Sequence, residues 1–210
     1  MGTSAMRKAF LAAVVAVLAI LIGFAALLLF TGKPDHSSAQ QCTLFIVMAC
    51  TGYADDFDGW YPLSREGEIN SLNILVREGL EPISFATYGT AQEQTEYFRE
   101  HGSLSQELSP HRYVRGLKRD DPKELVVMYR ASPTRWHTHI SASRREGWIA
   151  MGPDLIGHWA SGGVMTVQEL AQRLRKTLEF VRENKRPCWE ATLKEHEGFL
   201  AHLESLRNKQ

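Results

Sequence analysis

Net charge is the first thing this chain lacks: its 210 residues carry 24 lysines and arginines against 24 aspartates and glutamates. A chain so balanced presents no overall nucleic-acid or polyanion binder. Cysteine is scarce, at three residues, and an odd number cannot all be paired in disulfides. There is no internal repeat and no low-complexity tract. Catalytic signatures are missing as well. No Gly-x-Ser-x-Gly appears, no cysteine sits in a recognisable nucleophilic setting, and no phosphate-cradling glycine loop leads into a helix with a lysine.

Charge is absent in one further place, and there the absence is informative. Ala9 to Phe30 reads AFLAAVVAVLAILIGFAALLLF, without a single charged residue. As a helix rising about 1.5 Å per residue it would cross the roughly 30 Å hydrocarbon core of a bilayer. A cleaved signal peptide has a shorter apolar region of about 7–15 residues. No Ala-x-Ala site stands directly behind this one, and Ser37-Ser38-Ala39 lies well past it. Arg7 and Lys8 precede the run, while Lys33 beyond it is offset by Asp35. By the positive-inside rule residues 1–8 are cytoplasmic, 9–30 span the cytoplasmic membrane once, and the rest is extracytoplasmic. The lipid bilayer is thus the first expected partner.

The remaining residues amount to one domain, or one domain with an appendage. Gly32-Lys33-Pro34 interrupts the membrane helix, since proline removes a helical hydrogen bond. From Ala39 to Ala54 the chain reads as a helix again, apolar nearly all round and therefore buried. Glu66 to Arg77 predicts a short helix stopped by Gly79, Pro82 to Tyr88 a short strand, and Thr90 to His101 a helix opened by a capping box. Residues 102–122 read as irregular. Glu124 to Arg130 is the strongest strand. A polar loop, a strand over Gly147–Met151 and a third over Leu155–Trp159 then suggest an antiparallel meander. Thr166-Val-Gln-Glu169 caps an amphipathic helix ended by Pro187, and a last helix runs from Trp189 to Leu206, the two forming a hairpin.

Several of these pieces, in this order, resemble the pilin-like (pseudopilin-like) proteins with a prepilin-type processing-associated C-terminal domain. The residues that carry the likeness follow the membrane segment: Cys42…Leu44 entering a buried helix, then Tyr53-Ala-Asp-Asp-Phe-Asp-Gly59 and Tyr61-Pro62. Further on come Arg112-Tyr-Val-Arg-Gly-Leu-Lys-Arg-Asp-Asp-Pro122, the two strands, and the helix opening at Val167. The resemblance implies an α+β fold, a long N-terminal helix packed on a small antiparallel sheet. The prepilin start Gly-Phe-Thr-Leu-x-Glu is absent, because Gly23-Phe24 lies inside the apolar run and no glutamate follows. Where the family has an Asp-Gly-His turn, this chain has Gly152-Pro153-Asp154.

The expected division is therefore 1–8 cytoplasmic, 9–30 transmembrane, 31–38 linker, 39–165 pilin-like α+β domain and 166–210 C-terminal helices. The expected role is non-enzymatic and structural, through contact with other membrane or pilin-like proteins and with no nucleic acid, and no cofactor is implied. Two other readings stand beside it: a tethered metal-binding protein or hydrolase using His137 and His139, and a subunit of a secretion pseudopilus. Candidate metal ligands are His137, His139, Asp56 and Asp58, with His111 and His158 further off. An EF-hand placed on Asp58-Gly59 would need an oxygen ligand at Ala54 and a glutamate at Arg65, and has neither. Trp189, Leu193, Leu200 and Leu203 line the last helix and are the candidate contact residues, or else intramolecular core; His196 on the same face reads as a packed residue. Cys42 and Cys50, eight apart on a helix, lie about 12 Å from one another along its axis, too far for a disulfide. Either could meet Cys188, while burial of all three as small hydrophobes is the simpler reading.

Overall fold

The computed structural model describes residues 35–80, 91–138, 141–153 and 164–208. Residues 35–210 form one compact unit of α+β architecture, with the two C-terminal helices inside it. Its helices are α1 (Asp35–Asp56), α2 (Glu68–Arg77), α3 (Ala91–His101), α4 (Val167–Glu183) and α5 (Trp189–Arg207). Its strands are β1 (His111–Tyr113), β2 (Met128–Arg130), β3 (Thr134–Thr138), β4 (Ser141–Met151) and β5 (Val164–Met165). Among the described residues no helix is long and apolar enough to cross a membrane. The run Ala9–Phe30 lies outside them.

All strand pairings are antiparallel, in the order β1-β2-β4-β3 with β5 also paired to β4. Residues opposite one another in such pairs share a face of the sheet. The register sets Arg112 opposite Tyr129, Tyr129 opposite Ala150 and Trp148 opposite Met165. These side chains look towards α4 and α5, and Phe199 of α5 stacks on Tyr129 at 4.7 Å and meets Trp148 edge-on at 5.6 Å. His111, Tyr113, Met128 and Met151 take the other face. There α1 packs against β2, β3 and β4, and its Thr43 hydroxyl meets His111 Nε2 at 3.2 Å. The sheet is thus covered by α1 on one side and by the C-terminal hairpin on the other.

Local signals explain the helix ends. Asp58 and Gly59, with φ of 51° and 77°, turn the chain out of α1. Gly79 follows α2 at φ 70°, the left-handed stop its position predicts. The Thr166 capping box is fully formed: Thr166 Oγ1 accepts from Glu169 N–H at 3.2 Å, and Glu169 accepts from Thr166 N–H at 2.8 Å. Val167, Leu170, Ala171, Leu174, Leu178 and Val181 form the buried stripe of α4.

The structure corrects the sequence reading in four places. The strand expected over 124–130 contracts to Met128–Arg130, because Val126 N–H turns away to Thr177 Oγ1 of α4 at 2.9 Å and Leu125 N–H closes a turn onto Pro122. The polar loop expected after Pro133 is a hairpin of β3 and β4, which sets Arg135 opposite Glu146 in register. Part of the irregular stretch 102–122 is the edge strand β1. The strands expected over 82–88 and 155–159 lie outside the described residues. The first segment after the linker is helical from Asp35, four residues before Ala39.

Candidate functional site

Among the described residues, a group of buried and partly buried ionisable side chains gathers where α2, β1, β2 and α5 meet. Arg115, in the loop after β1, is fully buried. Its guanidinium donates to Glu195 of α5 through Nε at 3.1 Å and Nη2 at 2.8 Å, and to the Ser64 carbonyl through Nη1 at 2.7 Å. That fork-on-fork geometry suits arginine and would not suit lysine. Glu68, the first residue of α2, accepts the outward N–H of Tyr113 on the edge strand at 2.8 Å and lies 3.6 Å from Arg112. Beneath them, Tyr129 Oη and His196 Nδ1 share a hydrogen bond of 2.8 Å, both residues fully buried.

The surroundings shift these groups strongly. Burial pushes Glu68 up to about 7, with Glu195 adding to it and the Tyr113 N–H, Arg112 and Arg115 opposing it. Burial pushes His196 down to about 4; the Tyr113 backbone works against that, while Arg115 and Arg112 reinforce it. Among the described residues no hydrogen bond of ordinary geometry reaches Nε2 of His196. Burial also raises the Tyr129 and Tyr113 phenols, which stay protonated at neutral pH. Glu68 is thereby brought close to its titration point at pH 7. The Glu68, Arg112 and Glu195 side chains are 12%, 31% and 28% exposed, so the group keeps some contact with water.

A second knot fastens the turn between α4 and α5. Arg186 pairs with the buried Asp121, which also accepts Lys118 N–H at 2.7 Å. The Arg186 guanidinium carbon lies 5.4 Å from the Trp60 ring centre and 5.1 Å from that of Phe180, while Lys118 Nζ stands 4.3 Å over Trp60. Beside this knot, Arg119, Asp120, Asp121, Pro122, Lys123 and Pro153 line an open cleft of about 520 Å³.

The residues singled out from sequence fall elsewhere. Asp56 and Asp58 are exposed at the end of α1. His137 lies in β3, opposite Arg144 in register, whereas a loop was expected; His139 and His158 lie outside the described residues. His111 is buried against α1. Among the described residues no three His, Cys, Asp or Glu side chains gather as a metal site would require. On α5, Leu193 and Leu203 are buried in the core, with Leu200 and Trp189 partly buried against it, and His196 is packed beside them. No disulfide forms: Cys42 and Cys50 are buried, whereas Cys188, expected to be buried too, is only half-buried at the head of α5.

The ion-paired junction itself was missed in the sequence. Its one signal was Arg115 set between Val114 and Leu117, where an unpaired guanidinium would be too costly to bury. The arginines' partners lie 44 residues before Arg112, in Glu68, and 80 residues after Arg115, in Glu195. Compared with known proteins, the chain matches no family model, no curated protein and no solved structure.

Proposed function

We propose that this chain is a single-pass protein of the cytoplasmic membrane, anchored by Ala9–Phe30, that holds a non-enzymatic pilin-like domain outside the membrane. The observation that carries this reading is the uncharged run of 22 residues behind Arg7 and Lys8, long enough to span and flanked for an inward N-terminus. The arrangement of α1 along an antiparallel sheet supports the pilin-like part. A structural role is supported by the use made of the paired charges: the buried Arg115 with Glu195, and Glu68 and Arg186 with their partners, tie together segments distant in the chain. The domain would act through contact with other membrane or pilin-like proteins.

The test is the intact mass of the protein extracted from native membranes, combined with protease shaving of sealed cells. An uncut chain whose residues 35–210 are digested from outside is the expected result. A chain shortened by a short leader would restore a processed pseudopilin. Loss of about the first 39 residues, at the Ser37-Ser38-Ala39 site, would remove the anchor reading altogether.

A further inference from the structure

Two polar side chains on the buried side of α5, one helical turn apart, each keep a hydrogen-bonding atom unpaired. Thr192 and His196 are both fully buried. Among the described residues nothing bonds the Thr192 hydroxyl, and nothing bonds Nε2 of His196. The hydroxyl departs from what this chain does elsewhere. Thr51 and Thr177, also inside helices, turn their hydroxyls back onto the carbonyl four residues earlier, at 2.9 and 2.8 Å. The matching carbonyl for Thr192 is that of Cys188, which accepts the Thr192 N–H at 2.9 Å but not the hydroxyl.

The state of the imidazole follows from its other nitrogen. Tyr129 Oη lies 2.8 Å from Nδ1, and burial keeps that phenol protonated. Its hydrogen is satisfied only if Nδ1 accepts it. A neutral imidazole that accepts at Nδ1 carries its own proton on Nε2. His196 is neutral at pH 7, since burial pushes it down to about 4. The core therefore holds an N–H donor and, one turn back on the same helix face, a hydroxyl. Buried groups of this kind are ordinarily paired.

Residues four apart on a helix have Cβ atoms about 5–6 Å from each other. Two hydrogen bonds of about 2.9 Å each span such a gap through a single intervening atom. Both residues are closed off from solvent, so the bridging molecule is small. It has to accept from Nε2–H and bond the hydroxyl as well. The proton on Nε2 excludes a metal ion, and water meets both requirements. The Tyr113 backbone also acts on this ring, and a direct bond from Nε2–H to its carbonyl is the rival arrangement.

We propose that Thr192 and His196 hold one water molecule in the core, with Tyr129 fixing His196 as its Nε2–H tautomer. The inference rests on these three side chains and is independent of the membrane anchor.

The test joins two measurements on the full chain in detergent at pH 7. Long-range proton–nitrogen correlation spectra of the histidine-labelled protein report which nitrogen of each ring is protonated, and the signals lost in His196→Asn assign this ring. Crystal structures of the parent, Thr192→Ser and Thr192→Val locate the water. The expected result is an Nε2–H tautomer, with an ordered water about 2.7–3.2 Å from both Nε2 and Oγ1. Thr192→Ser should keep that water, and Thr192→Val, which preserves the shape and removes the hydroxyl, should lose it. An Nδ1–H tautomer overturns the proposal. So does Nε2 bonded directly to the Tyr113 carbonyl, or a water that stays unmoved in Thr192→Val. The parent decides the first two outcomes by itself, so a Thr192→Val chain that fails to fold still leaves the proposal open to refutation.

Discussion

Glu68 and His196 are displaced in opposite directions, and their effects on stability should cancel over part of the pH scale. Glu68 rises from an ordinary 4.5 to about 7 in the fold. Its contribution is therefore complete below pH 4.5 and is lost as pH climbs to about 7, because the folded protein holds a proton that the unfolded chain has released. His196 falls from 6.5 to about 4, so its contribution is complete above pH 6.5 and is lost as pH drops to about 4. With each pKa unit worth about 1.4 kcal/mol, either displacement amounts to about 3 kcal/mol. Between pH 4.5 and 6.5 the folded protein binds one proton, on Glu68, and the unfolded chain also binds one, on the histidine. The pair then adds no slope. Single variants should uncover what the pair conceals. Relative to the parent, Glu68→Gln should lose about 2–3 kcal/mol on acidification across that window, and His196→Asn should gain a similar amount. Denaturant unfolding of the full chain in detergent, followed by tryptophan fluorescence at several pH values, measures both slopes. Profiles of both variants parallel to the parent would refute the linkage, and slopes of equal sign would refute the opposition.

Two further outcomes follow from the junctions. Glu195→Gln leaves the buried Arg115 guanidinium without its carboxylate and should cost about 3 kcal/mol. Replacing both residues, as Arg115→Met with Glu195→Leu, should recover most of that loss; an equally unstable double variant would show that the pair is needed for more than mutual neutralisation. Gly116 sits at φ +82°, and a Cβ there would stand 2.9 Å from the Pro187 carbonyl oxygen. Gly116→Ala should therefore cost about 2 kcal/mol or more and loosen the α4–α5 turn. Hydrogen exchange at residues 184–188 should rise; unchanged exchange there would mean that the loop yields instead.

Much of the helical frame could be read locally. The Thr166 capping box, the stop at Gly79 and the apolar stripe from Val167 to Val181 are short-range features, and each appears where its spacing put it. Strands fared worse for a physical reason. Val126 looked like strand interior by composition, but its N–H is taken by a side chain on α4 some fifty residues later. The edge strand β1 is three residues long, too short to carry a period, and its outward N–H is satisfied by Glu68. The histidines of His137-x-His139 attracted notice because metal ligands are recognised by type. The glutamates and arginines of the junction did not, since an ion pair leaves no pattern until the chain has folded.

What the sequence determined by itself were the properties that depend on near neighbours. These are an uncharged run of bilayer length with positive residues before it, the helices with their caps and stops, and a chain without overall charge. Tertiary structure decided which surfaces those pieces cover. It placed α1 and the C-terminal hairpin on opposite faces of one sheet, turned Leu193, His196 and Leu203 into core, and left Phe45 and Met48 outside although they are as apolar as the residues beside them. Hydropathy is a property of each side chain alone, whereas burial depends on what the rest of the chain brings against it.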